Sequence, residues 1–470
     1  MLIHNLLKML SVMITDHLRA IIHFGGGVIL ARILEPSEFG LVAYLTALVG
    51  ISSVFKSMQL ETYLVQCQKN KLEIFGGTAI SINMIITLAI FFIATVIGYF
   101  FLEQHYFFPF IVILFSGSVS TFFFSYDSIL VKELEFKKIN IINLSVSIFA
   151  YTFSIWMAYN GYGFWSLVIL IFIQNSMPVL FKFFITPYKV TPKLFANTFQ
   201  DIFKYAKFGM IGSATGKLPE LLIPIFIKTY VDLFSLGIFQ RAQGINNLFN
   251  QFFSTAINAV ASPTYSKLQT QKENLVEYFS FIIGLNSRLS YLAFTSLFLL
   301  ADQFIFLVYT EKWMPVVPYI KILIAYAICH QFIGVYRVFL FSIGDTKLVA
   351  YTNILISSIF LLTLIPLFEF YGITGICIAL NISNFLGLLY IIYTVQKTNK
   401  NNIFYAFIIP YSPTLFTMII YLLINSKIHF NNLWFVFIIH IFILLLLFGM
   451  FSCFFDLKFY KNFFNKSKLL

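Results

Sequence analysis

Charged residues are scarce in this sequence. Asp, Glu, Lys and Arg make up 11% of its 470 residues, whereas soluble globular domains carry about 25%. Hydrophobic residues make up 59%, and the mean hydropathy is +0.87. This balance excludes a soluble multidomain protein. The apolar runs are continuous rather than alternating, which also excludes a membrane β-barrel.

Cysteine and catalytic motifs are also in short supply. The cysteines form no C-x-x-C pair, so neither a disulfide framework nor a metal site is predicted. No glycine-rich phosphate loop is present, and no paired carboxylates or Ser/His/Asp set falls on a sizeable outside loop. We therefore predict a protein that is not an enzyme and uses no cofactor. No cleavable signal peptide is visible, so the first apolar span would act as the targeting signal. The four cysteines are Cys67, Cys329, Cys377 and Cys453.

Long apolar segments dominate what is present. A membrane-spanning helix needs about 20 mostly apolar residues, and the sequence contains fourteen such segments. The pattern predicts an all-α polytopic membrane protein, in which the first, second, seventh and eighth spans are the least hydrophobic. The predicted spans are 12–33, 40–65, 76–101, 107–131, 140–159, 164–186, 203–228, 237–264, 281–308, 314–341, 349–370, 372–396, 403–424 and 433–455.

The loops between these spans carry strongly asymmetric positive charge. With fourteen spans, twenty Lys residues, Lys182 among them, fall on the side of the N-terminus, against four Lys or Arg residues on the other side. Positive loops lie in the cytoplasm, so both termini are predicted to be cytoplasmic. The net charge of +12 is then a topology signal, and no nucleic-acid partner is predicted.

An internal repeat relates two halves of the chain. The segment Leu34–Gly40 precedes the similar segment Val231–Gly237 by 197 residues, and each lies between the first two helices of a half. Two parallel six-helix halves are typical of transporters with a path between the halves. We predict lobes at 1–200 and 201–400, followed by two additional helices and a cytoplasmic tail at 401–470. Further matches near an offset of 210 are Tyr126 with Tyr336, Asn143 with Asn353, and Tyr162-Gly163 with Tyr371-Gly372.

Ionisable residues inside the spans indicate the substrate. A Lys or Arg at the membrane centre costs about 2.5–3.5 kcal/mol, so such residues face a cavity, pair with acids, or extend to the interface. Seven cations exceed the four clearest acids, which suggests an anionic substrate. The cations are Arg19, Lys56, Lys217, Arg241, Arg288, Lys321 and Arg337, and the acids are Asp16, Glu61, Asp127 and Glu220. Any of these acids could instead carry a coupling ion.

Two polar patterns stand out among the spans. Asp16, Arg19 and His23 share one face of the first helix, since they follow i, i+3 and i+7 spacing. The eighth span carries a polar stripe with hydrogen-bonding groups suited to sugar hydroxyls. The stripe consists of Gln240, Gly244, Asn247, Gln251, Thr255 and Asn258.

Lys217 and Glu220 flank Pro219 in the seventh span, where Pro224 follows, so a kink is predicted there.

Structural roles are alternatives for most of these residues. Asp16 with Arg19, and Lys217 with Glu220, could be ion pairs that only neutralise each other. The polar stripe could join two helices, a common use of Asn and Gln in membranes. Arg288 and Arg337 could extend from helix ends to the interface. His330 and His440 are single residues in apolar helices, which favours packing roles for both.

The segment Ala31–Ala43, which reads A-R-I-L-E-P-S-E-F-G-L-V-A, resembles the polysaccharide-transporter branch of the oligosaccharidyl-lipid flippases. Pro263–Gln269 is similar to a stretch that follows the eighth helix of that family, with Ser262 in place of its usual Phe. Leu64-Val65-Gln66 looks like the end of the family's second helix. The resemblance implies the multidrug/oligosaccharidyl-lipid/polysaccharide (MOP) exporter fold, with two six-helix lobes around a V-shaped cavity and two extra helices.

The resemblance also implies a function. Wzx-type flippases move undecaprenyl-diphosphate-linked oligosaccharides across the bacterial cytoplasmic membrane for O-antigen, capsule or exopolysaccharide synthesis, and a polysaccharide polymerase and a chain-length regulator are possible partners. By position, Arg19, Lys56 and Arg241 would engage the diphosphate, and Lys217 is added through the repeat. Lys56 is a weaker match because Lys cannot form the bidentate fork of Arg. The sugar-facing residues would be His23, Gln240, Asn247, Gln251 and Asn258.

Two other functions compete with this hypothesis. A drug or cation antiporter of the same fold would need an acid-rich cavity, whereas the spans of this chain are cation-rich. A membrane glycosyltransferase or polymerase would need a large outside catalytic loop, which the span assignment does not provide. The sequence leaves open which glycan is carried, and whether protons, Na⁺ or the membrane potential drives transport.

Overall fold

The computed structural model describes residues 2–56, 72–133, 135–186, 193, 196–399, 411–425 and 433–466. Within these ranges fifteen α-helices account for almost the whole chain. The first eight are α1 (Leu2–Ile33), α2 (Pro36–Lys56), α3 (Leu72–Phe101), α4 (Gln104–Phe122), α5 (Phe124–Lys132), α6 (Phe136–Tyr159), α7 (Trp165–Ile185) and α8 (Ala196–Tyr230). The remainder are α9 (Leu233–Leu268), α10 (Lys272–Phe304), α11 (Val316–Ser342), α12 (Thr346–Tyr371), α13 (Ile373–Asn399), α14 (Tyr411–Asn425) and α15 (Leu433–Lys466).

Within the described residues every predicted span falls on one of these helices, except the fourth, which is divided, and the end of the ninth, which is π-helical. Residues 57–65 of the second span and 403–410 of the thirteenth lie outside the described residues. Residues 107–131 are covered by α4 and α5, because the helix is interrupted at Phe123. A short π-helix, Ile305–Tyr309, and a 3-10 turn, Glu311–Trp313, join α10 to α11. The predicted all-α polytopic fold is confirmed.

The apolarity of the helices agrees with a multi-pass membrane protein. Nine helical segments of the described chain are long and apolar enough to cross a membrane, and α2 and α14 contain shorter apolar stretches. The described parts of α1, α8 and α9 fall below that apolarity. These three helices carry several of the charged residues noted in the sequence, among them Arg19, Lys217 and Arg241.

By its internal packing the chain divides into two units, Met1–Gln240 and Arg241–Leu470. In the N-terminal unit, α1, α2, α4, α6 and α7 share a core, and α8 packs against α2. Buried aliphatic side chains fill this core. They include Leu30, Leu45, Leu114, Ala150 and Val168. The sequence-based lobe boundaries at residues 200 and 400 stay a prediction.

The C-terminal unit has a more aromatic core. The rings of Phe279 in α10 and Phe339 in α11 stack with their centroids 4.0 Å apart, and Tyr265 in α9 packs edge-on against both. Helices α14 and α15 pack on the far end of α10 through a smaller cluster of Leu300, Tyr421 and Leu444. The two additional helices therefore cover one side of α10.

The segments matched by the repeat have matching local structure. Gly163 and Gly372 precede α7 and α13, and both have positive φ angles, of 53° and 59°, a conformation that favours glycine. At the start of α2, the Glu35 N–H donates to the Glu38 carboxylate (2.8 Å). At the start of α9, the Ser235 N–H donates to the Asp232 carboxylate (2.6 Å), which is a bond in the opposite direction between the equivalent positions. Both helices thus begin with a carboxylate that accepts a free N–H group.

The beginnings of α2 and α9 touch each other at two glycines. A Cβ atom on Gly40 would overlap the carbonyl oxygen of Leu233, and one on Gly237 would overlap the carbonyl oxygen of Pro36. Pro36 and Leu233 are separated by the same 197 residues as the two glycines. The contact is therefore reciprocal between equivalent positions of the repeat.

Candidate functional site

A polar cavity of about 300 Å³ lies inside the N-terminal unit between α1, α4, α6 and α7. Polar side chains from all four helices meet at this point. Hydrogen-bonding groups line most of the cavity wall. They belong to Arg19, His23, Ser120, Asn143, Ser147, Gln174, Asn175 and Lys182.

The α1 side of the cavity carries the face predicted from the sequence. Arg19 Nη2 lies 3.8 Å from Asp16 Oδ1, and both side chains are about one-third exposed. His23 Nε2 lies 3.2 Å from the hydroxyl of Ser147 in α6. Because that hydroxyl donates to the Asn143 carbonyl at 2.8 Å, Nε2 of His23 is the donor of the pair.

A glycine allows α1 and α6 to approach closely beside the cavity. The ring of Tyr151 lies against His23, with ring centroids 5.3 Å apart. A Cβ atom on Gly26 would overlap that tyrosine ring. The glycine thus provides the space in which Tyr151 packs and orients the histidine.

An ion pair with one buried member lies on the α7 side of the cavity. Lys182 Nζ lies 2.7 Å from Asp127 Oδ1, and the Lys182 side chain is only 5% exposed, against 46% for Asp127. The loop-charge count takes Lys182 as a cation of the cytoplasmic side, but the structure places it within a helix and buried rather than in a loop. Lys182 lies in the last turn of α7. Gln174 and Pro178 precede it on the same helix face, at intervals of four residues. That spacing was the signal that could have identified it.

The amides on α7 add donors that point into the cavity. Asn175 donates to the Ser116 hydroxyl in α4 at 3.3 Å. The Nε2 group of Gln174 is buried and has no hydrogen-bond partner among the described residues. Pro178 has no N–H with which to bond the Gln174 carbonyl four residues earlier. A ligand oxygen would accept from the Nε2 group of Gln174, and a ligand hydroxyl would donate to the Gln174 carbonyl.

The lining of the cavity is electropositive. Arg19, Lys182 and His23 line it, whereas the partner acids Asp16 and Asp127 are not among its lining residues. Such a surface binds anions through charge-assisted hydrogen bonds. No group of three His, Cys, Asp or Glu side chains that could hold a metal ion occurs within the described part of the chain.

Arg241, the other predicted diphosphate ligand, is held by aromatic rings in the C-terminal unit. Its guanidinium carbon lies 5.3 Å from the Tyr309 ring centroid and 5.0 Å from that of Trp313. Both aromatic side chains are essentially fully buried. Cation–π contacts of this kind position a guanidinium group as well as stabilise it.

The remaining predicted site residues have mixed environments. Lys217 and Glu220 are exposed on α8. On α9, Gln240 is half-buried and Asn247 is exposed, whereas Gln243 and Asn246 on the neighbouring face are buried. Glu61 lies outside the described residues, as do the side chains of Lys56, Gln251 and Asn258.

The charge count made from the sequence needs one correction. Lys321 Nζ lies 2.6 Å from Asp302 Oδ2, and Asp302 was not among the four acids counted from the sequence.

Arg288 is buried rather than extended toward the membrane interface. It is 6% exposed and donates to the Gly284 carbonyl at 2.6 Å. Arg337 donates to Asn353 at 3.2 Å.

The two single histidines have packing partners. His440 lies 3.3 Å from Gln303 Oε1 and packs edge-on against Tyr421. The His330 ring lies tilted against the Tyr326 ring, with centroids 5.4 Å apart. These contacts are those of structural residues within the C-terminal unit.

Solved structures share this arrangement of helices. One of them is the lipid II flippase MurJ in an inward closed conformation, which superposes with a TM-score of 0.78. The match covers 95% of this chain and 98% of the MurJ chain, at 17% sequence identity. A multidrug resistance MATE family transporter of the MOP superfamily, in an inward-facing conformation, gives a TM-score of 0.55, over 84% and 99% of the two chains, at 14% identity. This chain therefore shares the fold of these two transporters.

Sequence comparison then identifies the family. The profile of the polysaccharide biosynthesis protein family matches residues 29–318, so this chain belongs to that family. The succinoglycan biosynthesis transport protein ExoT of Rhizobium meliloti is 25% identical over 259 residues. That match covers 52% of this chain and 50% of ExoT, so it spans about half of the curated relative. The resemblance found in the sequence is confirmed.

Proposed function

We propose that this protein is a flippase that moves lipid-linked oligosaccharide units across the bacterial cytoplasmic membrane. Its family is that of polysaccharide biosynthesis proteins. The relative ExoT is a succinoglycan transport protein, and the structural neighbour MurJ is a lipid II flippase. The observation that carries the proposal is the electropositive polar cavity in the N-terminal unit, which suits an anionic, hydroxyl-rich substrate.

The substrate we infer is an undecaprenyl-diphosphate-linked oligosaccharide. A diphosphate cannot cross hydrocarbon without compensating charge, and Arg19 supplies a cation that is one-third exposed at the cavity. Arg241, Lys217 and Lys56 are the further candidates for diphosphate contacts. Donors such as Gln174 and Asn175 would bind sugar hydroxyls, together with Gln240 and the stripe residues of α9, while the prenyl tail stays in lipid.

Alternating access provides the mechanism. One lobe would rock against the other, so that the substrate site opens first to the cytoplasm and then to the outside. With both termini in the cytoplasm, the oligosaccharide would be delivered to a polymerase and a chain-length regulator outside. The protein performs no bond chemistry in this scheme, so it is not an enzyme.

A drug or cation antiporter of the same fold is disfavoured by the cavity. Binding a cationic drug requires uncompensated carboxylates, whereas Arg19, Lys182 and His23 line this cavity. Asp16 and Asp127 are both within ion-pair distance of one of these cations.

Arg19→Ala tests the proposal. In a deletion strain complemented by the variant, we expect surface polysaccharide to fall at least tenfold and lipid-linked precursor to accumulate. Membrane levels of the protein should stay normal, because an ion pair this exposed contributes only about 0–1 kcal/mol. Arg19→Lys should be milder, since it retains the charge but loses the planar fork.

Lys138→Ala is the matched control, because this exposed lysine also pairs with an acid three residues away, Glu135 at 3.1 Å. It should export normally. Full export by a correctly inserted Arg19→Ala/Arg241→Ala double variant would contradict the proposed anion site. ATP turnover or sugar transfer by the purified protein would contradict the non-enzymatic mechanism.

A further inference from the structure

A second cavity, of about 750 Å³, lies in the N-terminal unit and is almost entirely apolar. It is a cleft between α2, α3 and α4. The C-terminal half of α3, from Ile86 to Phe101, forms one wall, and Leu48 and Ile51 of α2 form another. Ala89, Ala94 and Gly98 make the α3 wall shallow, so the cleft follows the helix axis.

Through the internal repeat, the cleft has an equivalent position in the C-terminal unit, and protein side chains occupy that position. Helix α10 is the counterpart of α3, and α14 and α15 pack along it. The counterpart of Tyr44, 197 residues on, is Arg241, which is enclosed by the buried rings of Tyr309 and Trp313. None of the described helices covers the cleft in the N-terminal unit in this way. The occupant we consider is therefore a separate molecule.

A pair of opposite charges lies at one end of the cleft. Lys228 of α8 has its ammonium group 5.2 Å from the ring centroid of Tyr44, which lines the cleft. The same group lies 3.8 Å from Oε1 of Glu103, which directly follows the lining residue Leu102. The Glu103 side chain is 57% exposed, and that of Lys228 is 29% exposed. Both groups remain accessible to a ligand.

We propose that the cleft binds one acyl chain of a phospholipid whose head group carries both a phosphate and a primary ammonium. The chain lies along Ile86, Ile93 and Ile97 of α3. The phosphate is placed at Lys228 and the ammonium at Glu103, so each charge of the head group meets its opposite. An anionic lipid would place its net negative charge beside Glu103 and gain less. This site is separate from the polar cavity and does not depend on the proposed transport function.

The probe is phosphatidylethanolamine bound to the purified full-length protein, measured by native mass spectrometry after exchange into detergent. We expect one retained lipid per protein. Ala89→Trp fills the cleft and should reduce the retained lipid at least tenfold. The matched control is Leu88→Trp, which adds the same ring to an exposed neighbour that does not line the cleft, and it should retain the lipid.

A second pair of variants keeps the proposal testable if Ala89→Trp folds poorly. Lys228→Gln and Glu103→Gln change only groups at the end of the cleft, and each should weaken retention of phosphatidylethanolamine several-fold. Equal retention of phosphatidylglycerol and phosphatidylethanolamine by the unmodified protein would overturn the head-group assignment. Unchanged lipid retention by a folded Ala89→Trp variant would overturn the site itself. Neither result would bear on export, which is measured separately through Arg19.

Discussion

At the scale of single residues, the ion pair between Lys182 and Asp127 is the most consequential feature of the site. A buried lysine is strongly desolvated, so it needs a partner that restores the lost hydration energy. Asp127 provides this partner at 2.7 Å while remaining half exposed itself. The Lys182 side chain thus lines the cavity together with Arg19. Two basic side chains from different helices then face the same polar space.

Neutralising either member of this pair should separate its structural role from its role in transport. We expect Asp127→Asn to destabilise the protein by about 1–3 kcal/mol. This is less than the cost of breaking a fully buried ion pair, because Asp127 is half exposed. The double variant Asp127→Asn/Lys182→Met should recover that stability, since the buried charges vanish together. If Lys182 also binds substrate, the double variant should still export poorly. Thermal unfolding in detergent and surface polysaccharide are the two measurements.

A double variant that regained both stability and export would show that the pair is structural only. Lys132→Met is the control, because this half-buried lysine lies nearby at the end of α5 but does not line the cavity. It should leave export unchanged.

At the scale of helices, the crossing of α2 and α9 is the tightest contact between repeat-related elements. Backbone meets backbone at Gly40 and Gly237, so no side chain is available to adjust. Close approach of this kind is how membrane helices pack when the hydrophobic effect does not drive them together.

Gly40→Ala and Gly237→Ala should therefore each lower stability. An added methyl group in a well-packed contact costs about 1–3 kcal/mol, which exceeds the gain of about 0.5–1 kcal/mol that alanine brings to a helix. The control is Gly244→Ala, also on α9, where a Cβ atom would meet nothing within 4 Å. That variant should be neutral or slightly stabilised in thermal unfolding. Equal melting temperatures for Gly40→Ala and Gly244→Ala would refute the contact.

At the scale of the whole molecule, orientation in the membrane follows from loop charge. The helix order of the structure agrees with fourteen crossings, with α4 and α5 forming one of them. The positive charge is concentrated on alternate connections. From this charge asymmetry, the positive-inside rule predicts that both termini lie in the cytoplasm.

Reporter fusions would test this orientation. Fusions after Lys71, Lys193 and Lys272 should report the cytoplasm, and a fusion near Glu311, between α10 and α11, should report the outside. An outside signal at Lys193 would reverse the orientation. The helical structure would be unaffected by that result.

The sequence by itself determined the helices, their order and the family. Hydrophobic segments, helix-starting acids such as Glu38 and Asp232, and i, i+3 spacings such as that of Asp16 with Arg19 are all local. They act through the neighbouring backbone, so they can be predicted without knowing the packing. The repeat could be found for the same reason, since its turns at Gly163 and Gly372 need glycine for their own backbone conformation.

Only the tertiary structure decided which polar groups meet. Lys182 pairs with Asp127 across 55 residues, and Arg241 lies against Trp313 across 72. Neither contact leaves a periodic signal, because each depends on how two distant helices pack side by side. The same packing turned Arg288 inward and left an apolar cleft beside α3. In a membrane almost every surface is apolar, so side-chain chemistry alone cannot tell a helix face that meets protein from one that meets lipid.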